Sequence, residues 1–334
     1  MAGATIYDVS KRAGVSIATV SRVLNRRDTV SLETRARVLE AIDELGFVPK
    51  LEAVTRARKE MGRIGVLTPS IVDSIVDRLR GILDALADQP YEPVIYNIGS
   101  AAQLEGYLTN LALTRTVDGL IIIGMPVSEA AAQRLRIGRI PVAQFADTHT
   151  SYIPTMNHIL LDHGEGGRVA AEYLLEMGHR RLGFIGDAYL PNYADGLANA
   201  KLDYFRQTLA KAGVALPNSY VGLTRLDMDE AQEKAYRLLD LPEPPTAIFA
   251  ASDNLAIAVI SAARERGLSV PGDLAVMGYD DISIAKFVGL TTIRQPLKES
   301  GRWAVEILLS QIENYEYPNQ KVMRNVELVR RFTA

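Results

Sequence analysis

The residues most able to do chemistry lie near the start of the chain, in the run Ser16-Ile17-Ala18-Thr19-Val20-Ser21-Arg22-Val23-Leu24-Asn25, and the chemistry they suit is recognition. Read as a helix, Val20, Val23 and Leu24 point one way and leave Ile17, Ala18, Ser21, Arg22 and Asn25 on the other. Isoleucine and alanine at the exposed start of a short helix suit thymine methyl groups in a major groove. Arg22 suits the O6 and N7 edge of a guanine, a bidentate contact worth about 1–3 kcal/mol of discrimination. Ser16, Thr19, Ser21 and Asn25 are short polar groups suited to phosphate oxygens, which set register without reading sequence. The bland alternative is a helical cap whose outer face docks on the protein body.

Nothing comparable points to catalysis. The chain has no GxxxxGK[ST], no GxGxxG after a strand, no GxSxG and no HExxH. It has no cysteine, which excludes disulfides, thiolate zinc sites and cysteine nucleophiles. The four histidines stand at 149, 158, 163 and 179. His163 and Glu165 are two apart, and a metal site needs more ligands than the neighbourhood offers, so neither metal nor cofactor is expected. His179 follows the helix-ending Gly178 at the start of a strand, a structural position.

The elements that must position the reading face follow from spacing. Thr5 can cap a first helix with Asp8 three residues on, Ile6, Val9 and Ala13 give its stripe, and Gly14 ends it. Ser16 caps the second helix, to about Leu24; Ser31 starts a third, 32–45, with Val38, Ile42 and Leu45 in register. Helix, short glycine turn and helix make a helix-turn-helix. From Arg63 onward, strand-like runs at 64–67, 94–96, 120–123, 142–145, 159–161, 182–185, 246–250 and 274–278 alternate with helical ones near 75–88, 103–113, 128–136, 166–177, 197–212, 228–239 and 253–266. This order predicts parallel sheets covered by helices, and a break near 155–165 divides them into two doubly wound lobes. Ligands in such sheets sit beyond the carboxyl ends of the strands, here in the cleft between lobes.

Charge is uneven along the chain. Residues 1–60 carry 11 basic and 8 acidic side chains, and the remainder 26 and 32, so a weakly basic head sits on an acidic body. With 48% apolar and 23% charged residues, the composition is that of a globular protein. No apolar run reaches the roughly 18 residues of a spanning helix. The start lacks the apolar stretch of a secretory leader, so a cytoplasmic place and no membrane contact are expected.

The run from Thr5 to Asn25, continued by Thr34, Arg35, Val38 and Gly46-Phe47-Val48-Pro49, resembles the head of the lactose/galactose-repressor (LacI/GalR) family of bacterial transcription regulators. Gly62-Arg63-Ile64-Gly65-Val66-Leu67, Asp118-Gly119-Leu120-Ile121-Ile122, Gly178 to Gly186, Ala251-Ser252-Asp253-Asn254, Val276 to Asp281 and Leu290-Thr291-Thr292-Ile293 extend the resemblance over nearly the whole chain. It implies a small all-α helix-turn-helix head plus an α/β effector domain of two lobes, periplasmic-binding-protein-like. The expected domains are 1–47 for DNA, 48–62 as hinge and 63–334 for effector and dimerisation. Lobe one would hold about 63–160 and 291–320, and lobe two 161–290 and 321–334. The resemblance places Ile17, Ala18 and Arg22 at base-reading positions, with Tyr7, Ser16, Thr19, Ser21 and Asn25 near the backbone. The implied function is a sequence-specific repressor, no enzyme, controlled by a small molecule, with a sugar or sugar derivative expected first. A purine or nucleoside, or a partner protein, is the alternative.

Carried over by position, Asp280 is the expected carboxylate for two effector hydroxyls. Ser252 and Asp253 lie at another strand end, and Asp162 and Glu165 flank a third. Lys201 stands where the family usually has an arginine, so a bidentate fork is lost there. Thr68, Pro69, Ser70 and Ile71 end the first strand, and Ile75 and Val76 stand where two phenylalanines are common. Phe145, Tyr189 and Tyr193 are possible substitutes for those aromatics. For Asp280, Ser252 and Asp253 the alternative is helix capping, and for Lys201 a solvated helix face.

In the hinge, the family's Asn-x-x-Ala-Arg-x-Leu becomes Lys50-Leu51-Glu52-Ala53-Val54-Thr55-Arg56, with Arg56 at the leucine's place. An arginine there suits a narrow A·T-rich minor groove that needs no unstacking. Slippage that makes Leu51 or Val54 the wedge, or a plain basic linker, are the other readings. One helix-turn-helix covers half of a pseudo-palindromic double-stranded operator, so a homodimer is expected. The chain lacks a terminal leucine heptad for a tetramer. Trp303, with Ile307 and Leu308, is expected in the core.

Overall fold

The computed structural model describes residues 5–25, 30–45, 47, 62–69, 71, 73–147, 153–187, 200–225 and 227–334. It falls into two units, Met1–Met61 and Gly62–Ala334. In the first, Asp8 accepts hydrogen bonds from the Thr5 backbone N–H at 2.8 Å and from its hydroxyl at 2.6 Å, which starts helix α1 (Ile6–Ala13). Gly14, at φ 66°, takes the left-handed conformation that ends it. Ser16 then caps α2 (Ile17–Asn25) by accepting from Thr19 N–H at 3.1 Å. Helix α3 (Leu32–Leu45) closes the bundle over Val9, Ala13, Val20, Val23, Val38 and Ala41, all buried. An exposed ion pair, Arg12 to Glu44 at 2.6 Å, also links α1 to α3.

The second unit carries two six-stranded sheets among the described residues. The first runs β11-β5-β4-β3-β1-β2, all parallel, from β1 (Arg63–Thr68), β2 (Glu92–Asn97), β3 (Gly119–Ile123), β4 (Val142–Asp147), β5 (Asn157–Leu161) and β11 (Lys321–Arg324). The second runs β12-β10-β9-β8-β6-β7, from β6 (Leu182–Asp187), β7 (Val221–Thr224), β8 (Ala247–Ala250), β9 (Ala275–Asp280), β10 (Thr291–Arg294) and β12 (Glu327–Val329), antiparallel only at β10–β12. Central strands such as Gly119–Ile123 are buried at every residue, as helices on both faces require. In lobe one these are α4 (Asp73–Leu86), α5 (Ala101–Thr114), α6 (Glu129–Ile137) and α11 (Leu297–Glu313). In lobe two they are α7 (His163–Glu176), α8 (Ala200–Lys211), α9 (Met228–Leu239) and α10 (Asp253–Glu265).

The chain passes between the sheets three times, after β5, β10 and β11. The expected lobe boundaries need correcting by one strand at each end. Residues 291–294 pair with β9 and belong to lobe two, whereas 321–324 pair with β5 and belong to lobe one. Strands of four residues leave no readable alternation, and only their register against a neighbour assigns them. Trp303, expected in the core, is half-buried against it, with the Arg324 guanidinium 4.9 Å from its ring centroid.

Two helix pairs approach backbone to backbone. A Cβ on Gly301 of α11 would lie 2.2 Å from the Arg78 carbonyl oxygen of α4, and one on Gly167 of α7 would lie 2.1 Å from the Lys201 carbonyl oxygen of α8. Only glycine permits either contact. Each pair therefore fixes the backbone of one cation, Arg78 in lobe one and Lys201 in lobe two.

Candidate functional site: a reading helix and a charged cleft

On α2 the buried and open faces separate as the residue types demand. Val20 and Val23 are buried, while Ile17 is 39% exposed and Ala18 and Arg22 are exposed. Among the described residues no carboxylate pairs with Arg22. The Ser16 hydroxyl lies 2.9 Å from that of Thr19 at the helix start, Ser21 is half-buried, and Tyr7 on α1 is 69% exposed. A helix that leaves isoleucine, alanine and arginine open, with hydroxyls at its amino end, has the chemistry of a major-groove reader. The Asn25 side chain, and Arg56 with the whole hinge, lie outside the described residues.

In the second unit, charged groups converge where the strands end. Asp280, the last residue of β9, is 6% exposed and holds φ at 109°, a strained conformation that costs about 1–3 kcal/mol and is characteristic of functional sites. Gln295 Nε2 donates to its carboxylate at 2.5 Å. Burial pushes Asp280 up to about 6, against the pull of Lys201 first, then of the Gln295 hydrogen bond and of Arg78. Lys201 Nζ donates to the Ala251 carbonyl at 2.8 Å and lies 4.1 Å from the Tyr279 ring centroid. Asp187, at the end of β6, is raised by burial and held down by Lys201. The Tyr279 hydroxyl is 3.0 Å from His163 Nδ1, and its phenol is raised by burial and by Asp280, Asp147 and Asp162. Asp281 follows at φ 57°, its carboxylate bonded to Arg294 and Arg331 at 2.7 Å each.

Lobe one reaches the same place through Arg78. This side chain is 6% exposed, its guanidinium carbon 4.7 Å from the Phe145 ring centroid, and its Nε donates to Ser300 Oγ at 3.1 Å. Burial lowers it to about 10, while Asp280 and Tyr279 work to keep it charged. Nearby, Asn254 Nδ2 of α10 donates to Asp73 Oδ2 of α4 at 2.7 Å and ties the lobes together at their helix starts.

The expected effector residues meet different fates. Asp280 and Lys201 come together in this cluster. Ser252 caps α10, accepting from Leu255 N–H at 3.3 Å, as the capping alternative has it, whereas Asp253 is the first residue of that helix and its buried carboxylate accepts from the Thr292 hydroxyl and Ile282 N–H. Glu165 is gripped by Arg168 through two bonds, of 2.7 and 2.5 Å, and Asp162 caps α7. Phe145 is 2% exposed, inside the lobe-one core, and Arg78 covers its face, so it offers no open ring for stacking. Thr68 is fully buried and Ile71 is 59% exposed. Ser70, Tyr189 and Tyr193 lie outside the described residues. Sequence reasoning misses Arg78 and Gln295. Arg78 carries a signal, because it is a charge set among Ile75, Leu79, Ile82 and Leu86, the apolar stripe of its helix. Among the described residues no cluster of histidine and acidic groups could hold a metal. His179 Nδ1 meets Thr246 Oγ1 at 2.9 Å, a structural bond.

Comparison with known proteins decides the kinship. The family described as bacterial regulatory proteins, lacI family, matches residues 5–50, and the periplasmic binding protein-like domain matches 171–334. The chain is 32% identical over 333 residues to the HTH-type transcriptional repressor CytR of Escherichia coli (strain K12), spanning 98% of this chain and 95% of that one. It belongs to the LacI family. It is 33% identical over 310 residues to catabolite control protein A of Priestia megaterium, 91% of each chain being covered. The solved lac repressor dimer bound to operator and the anti-inducer ONPF superposes with a TM-score of 0.78 at 26% identity, over 99% of both chains. The CelR–cellobiose complex does so with 0.70 at 27%, over 99% and 100%. This LacI-family chain is therefore a DNA-binding transcription regulator and not an enzyme, with the fold expected from its sequence. No helix among its described residues is long and apolar enough to cross a membrane.

Proposed function

We propose that the protein is a homodimeric cytoplasmic repressor whose grip on a pseudo-palindromic operator is set by a small hydroxylated ligand held between its two lobes. The observation that carries this reading is that the chain has both an open Ile17-Ala18-Arg22 face on α2 and buried charges from both lobes, Asp280 at the end of β9 and Arg78 on α4. Ile17, Ala18 and Arg22 read base edges, and Tyr7, Ser16, Thr19, Ser21 and Asn25 hold the phosphate backbone. Asp280 and Lys201 offer an acceptor and a donor to adjacent hydroxyls. The cellobiose held by CelR, a protein of the same fold, supports a carbohydrate-like ligand.

Selection of operators from random duplexes at physiological salt, with no ligand added, tests this. A two-fold symmetric site is expected, with an A·T-rich centre if Arg56 takes the place of the wedge leucine. Weak, salt-sensitive binding without sequence preference contradicts the repressor reading, and a C·G step dominating the centre contradicts the role given to Arg56.

A further inference from the structure

Arg78 is a buried cation to which no carboxylate is hydrogen-bonded among the described residues. Its Nε is spent on Ser300, and its plane rests on Phe145. Among the described residues no acceptor meets its two terminal nitrogens. Asp280 lies close enough to favour the charged guanidinium, but that carboxylate is bonded to Gln295 and compensated first by Lys201. A guanidinium taken out of water without a hydrogen-bonded counter-charge is costly, and its planar fork matches a carboxylate bidentately. A second observation stands beside it. Gln295 is 7% exposed, and its Oε1 is buried with no hydrogen-bond partner among the described residues, so it wants a donor. It is the amide that holds Asp280.

We infer that the effector is a hydroxylated carboxylic acid of the sugar-acid class, its carboxylate on the Arg78 fork and its hydroxyls on Asp280 and Gln295 Oε1. The inference rests on the reading of the cleft as the effector site and narrows it from carbohydrate in general to its acids. Arg78 then restores from lobe one the arginine fork that Lys201 lacks in lobe two. Because Arg78 belongs to one lobe and Asp280 to the other, one acid bridges both. The carboxylates already in the cleft do not forbid this, since Lys201 stands beside both Asp280 and Asp187 and offsets their charge.

The test is a thermal melt of the full chain, without DNA, against D-gluconate, D-galactonate, D-glucuronate and D-galacturonate, with D-glucose and D-galactose at equal concentration as neutral parents. At least one acid is expected to raise Tm while its parent does not. Arg78→Gln should weaken that acid by about thirtyfold or more, and Arg78→Lys, which keeps the charge and the stem but not the fork, by less. Should Arg78→Gln fail to melt cooperatively without ligand, Arg78→Lys alone decides, a drop in acid affinity being expected. Neutral sugars binding as well as the acids, acids binding the variants unchanged, or no member binding at all would each overturn the inference. Operator selection, run without ligand, stands or falls separately, so a failure here is distinguishable from a failure of the repressor reading.

Discussion

Two buried carboxylates give lobe two a pH dependence, and both act in the same direction. Asp253 is pushed up to about 8 by burial first and by Asp280 second, and Asp280 itself is raised to about 6. In the unfolded chain such groups titrate near about 4. Above that value the folded state holds protons that the unfolded state has lost, so their stabilisation is complete at acid pH. It declines as pH rises through about 6 and then about 8. Asp253→Asn can keep both local bonds, its carbonyl accepting from Ile282 N–H and its amide donating to the Thr292 hydroxyl. Melting at about pH 5 and about pH 8 should show a smaller fall in Tm for this variant than for the parent; an equal fall would clear Asp253 of the role. In the head, Arg22→Ala should relax preference at one base pair per half-site by about 1–3 kcal/mol, read as affinity for single-base operator variants. A uniform loss across all of them would make Arg22 a phosphate contact instead.

At the scale of elements, the cleft cations are placed by helix pairs that glycine alone lets touch. Alanine at 301 would drive a methyl group to 2.2 Å from a carbonyl oxygen of α4, where neither backbone can yield cheaply. Gly301→Ala should therefore cost about 1–3 kcal/mol, seen as a lowered Tm, and it should displace Arg78 as well. Gly106 makes the contrast within the same lobe. It is exposed in the middle of α5, and a Cβ added there would meet nothing within 4 Å, so Gly106→Ala should raise stability by about 0.5–1 kcal/mol through helix propensity. Equal effects from the two substitutions would show that close approach is not what Gly301 serves.

For the whole molecule, the division of charge and the three passages between lobes set how binding can be coupled. The head carries the net positive charge and the body the negative, so attraction to DNA belongs to the head while the body stays repelled. The lobes are joined by the connections after β5, β10 and β11, and Gln295 lies in the second of them, beside Asp280. Linkage requires reciprocity: the factor by which an effector changes operator affinity equals the factor by which operator changes effector affinity. Titrating each in the presence and absence of the other checks this, and unequal factors would mean a further species, such as a change in oligomeric state, takes part.

The head was legible in the sequence because its information is local. Thr5, Gly14, Ser16 and Ser31 mark helix ends within a few residues of the stripes they bound, and a three-helix core leaves one choice of inner and outer face on α2. The alternation of the body gave the two doubly wound lobes for the same reason, through the burial of whole strands. Tertiary structure alone decided the rest. Four-residue strands at 291–294 and 321–324 acquire a lobe only from the strand they pair with. Arg78 and Asp280 are far apart in the chain and feel each other's charge because two lobes face each other, while Ser252, Glu165 and Phe145, plausible by position, are spent on a helix cap, an ion pair and a core. What a polar side chain is free to bind depends on what its neighbours have already taken, and those neighbours are set by the fold.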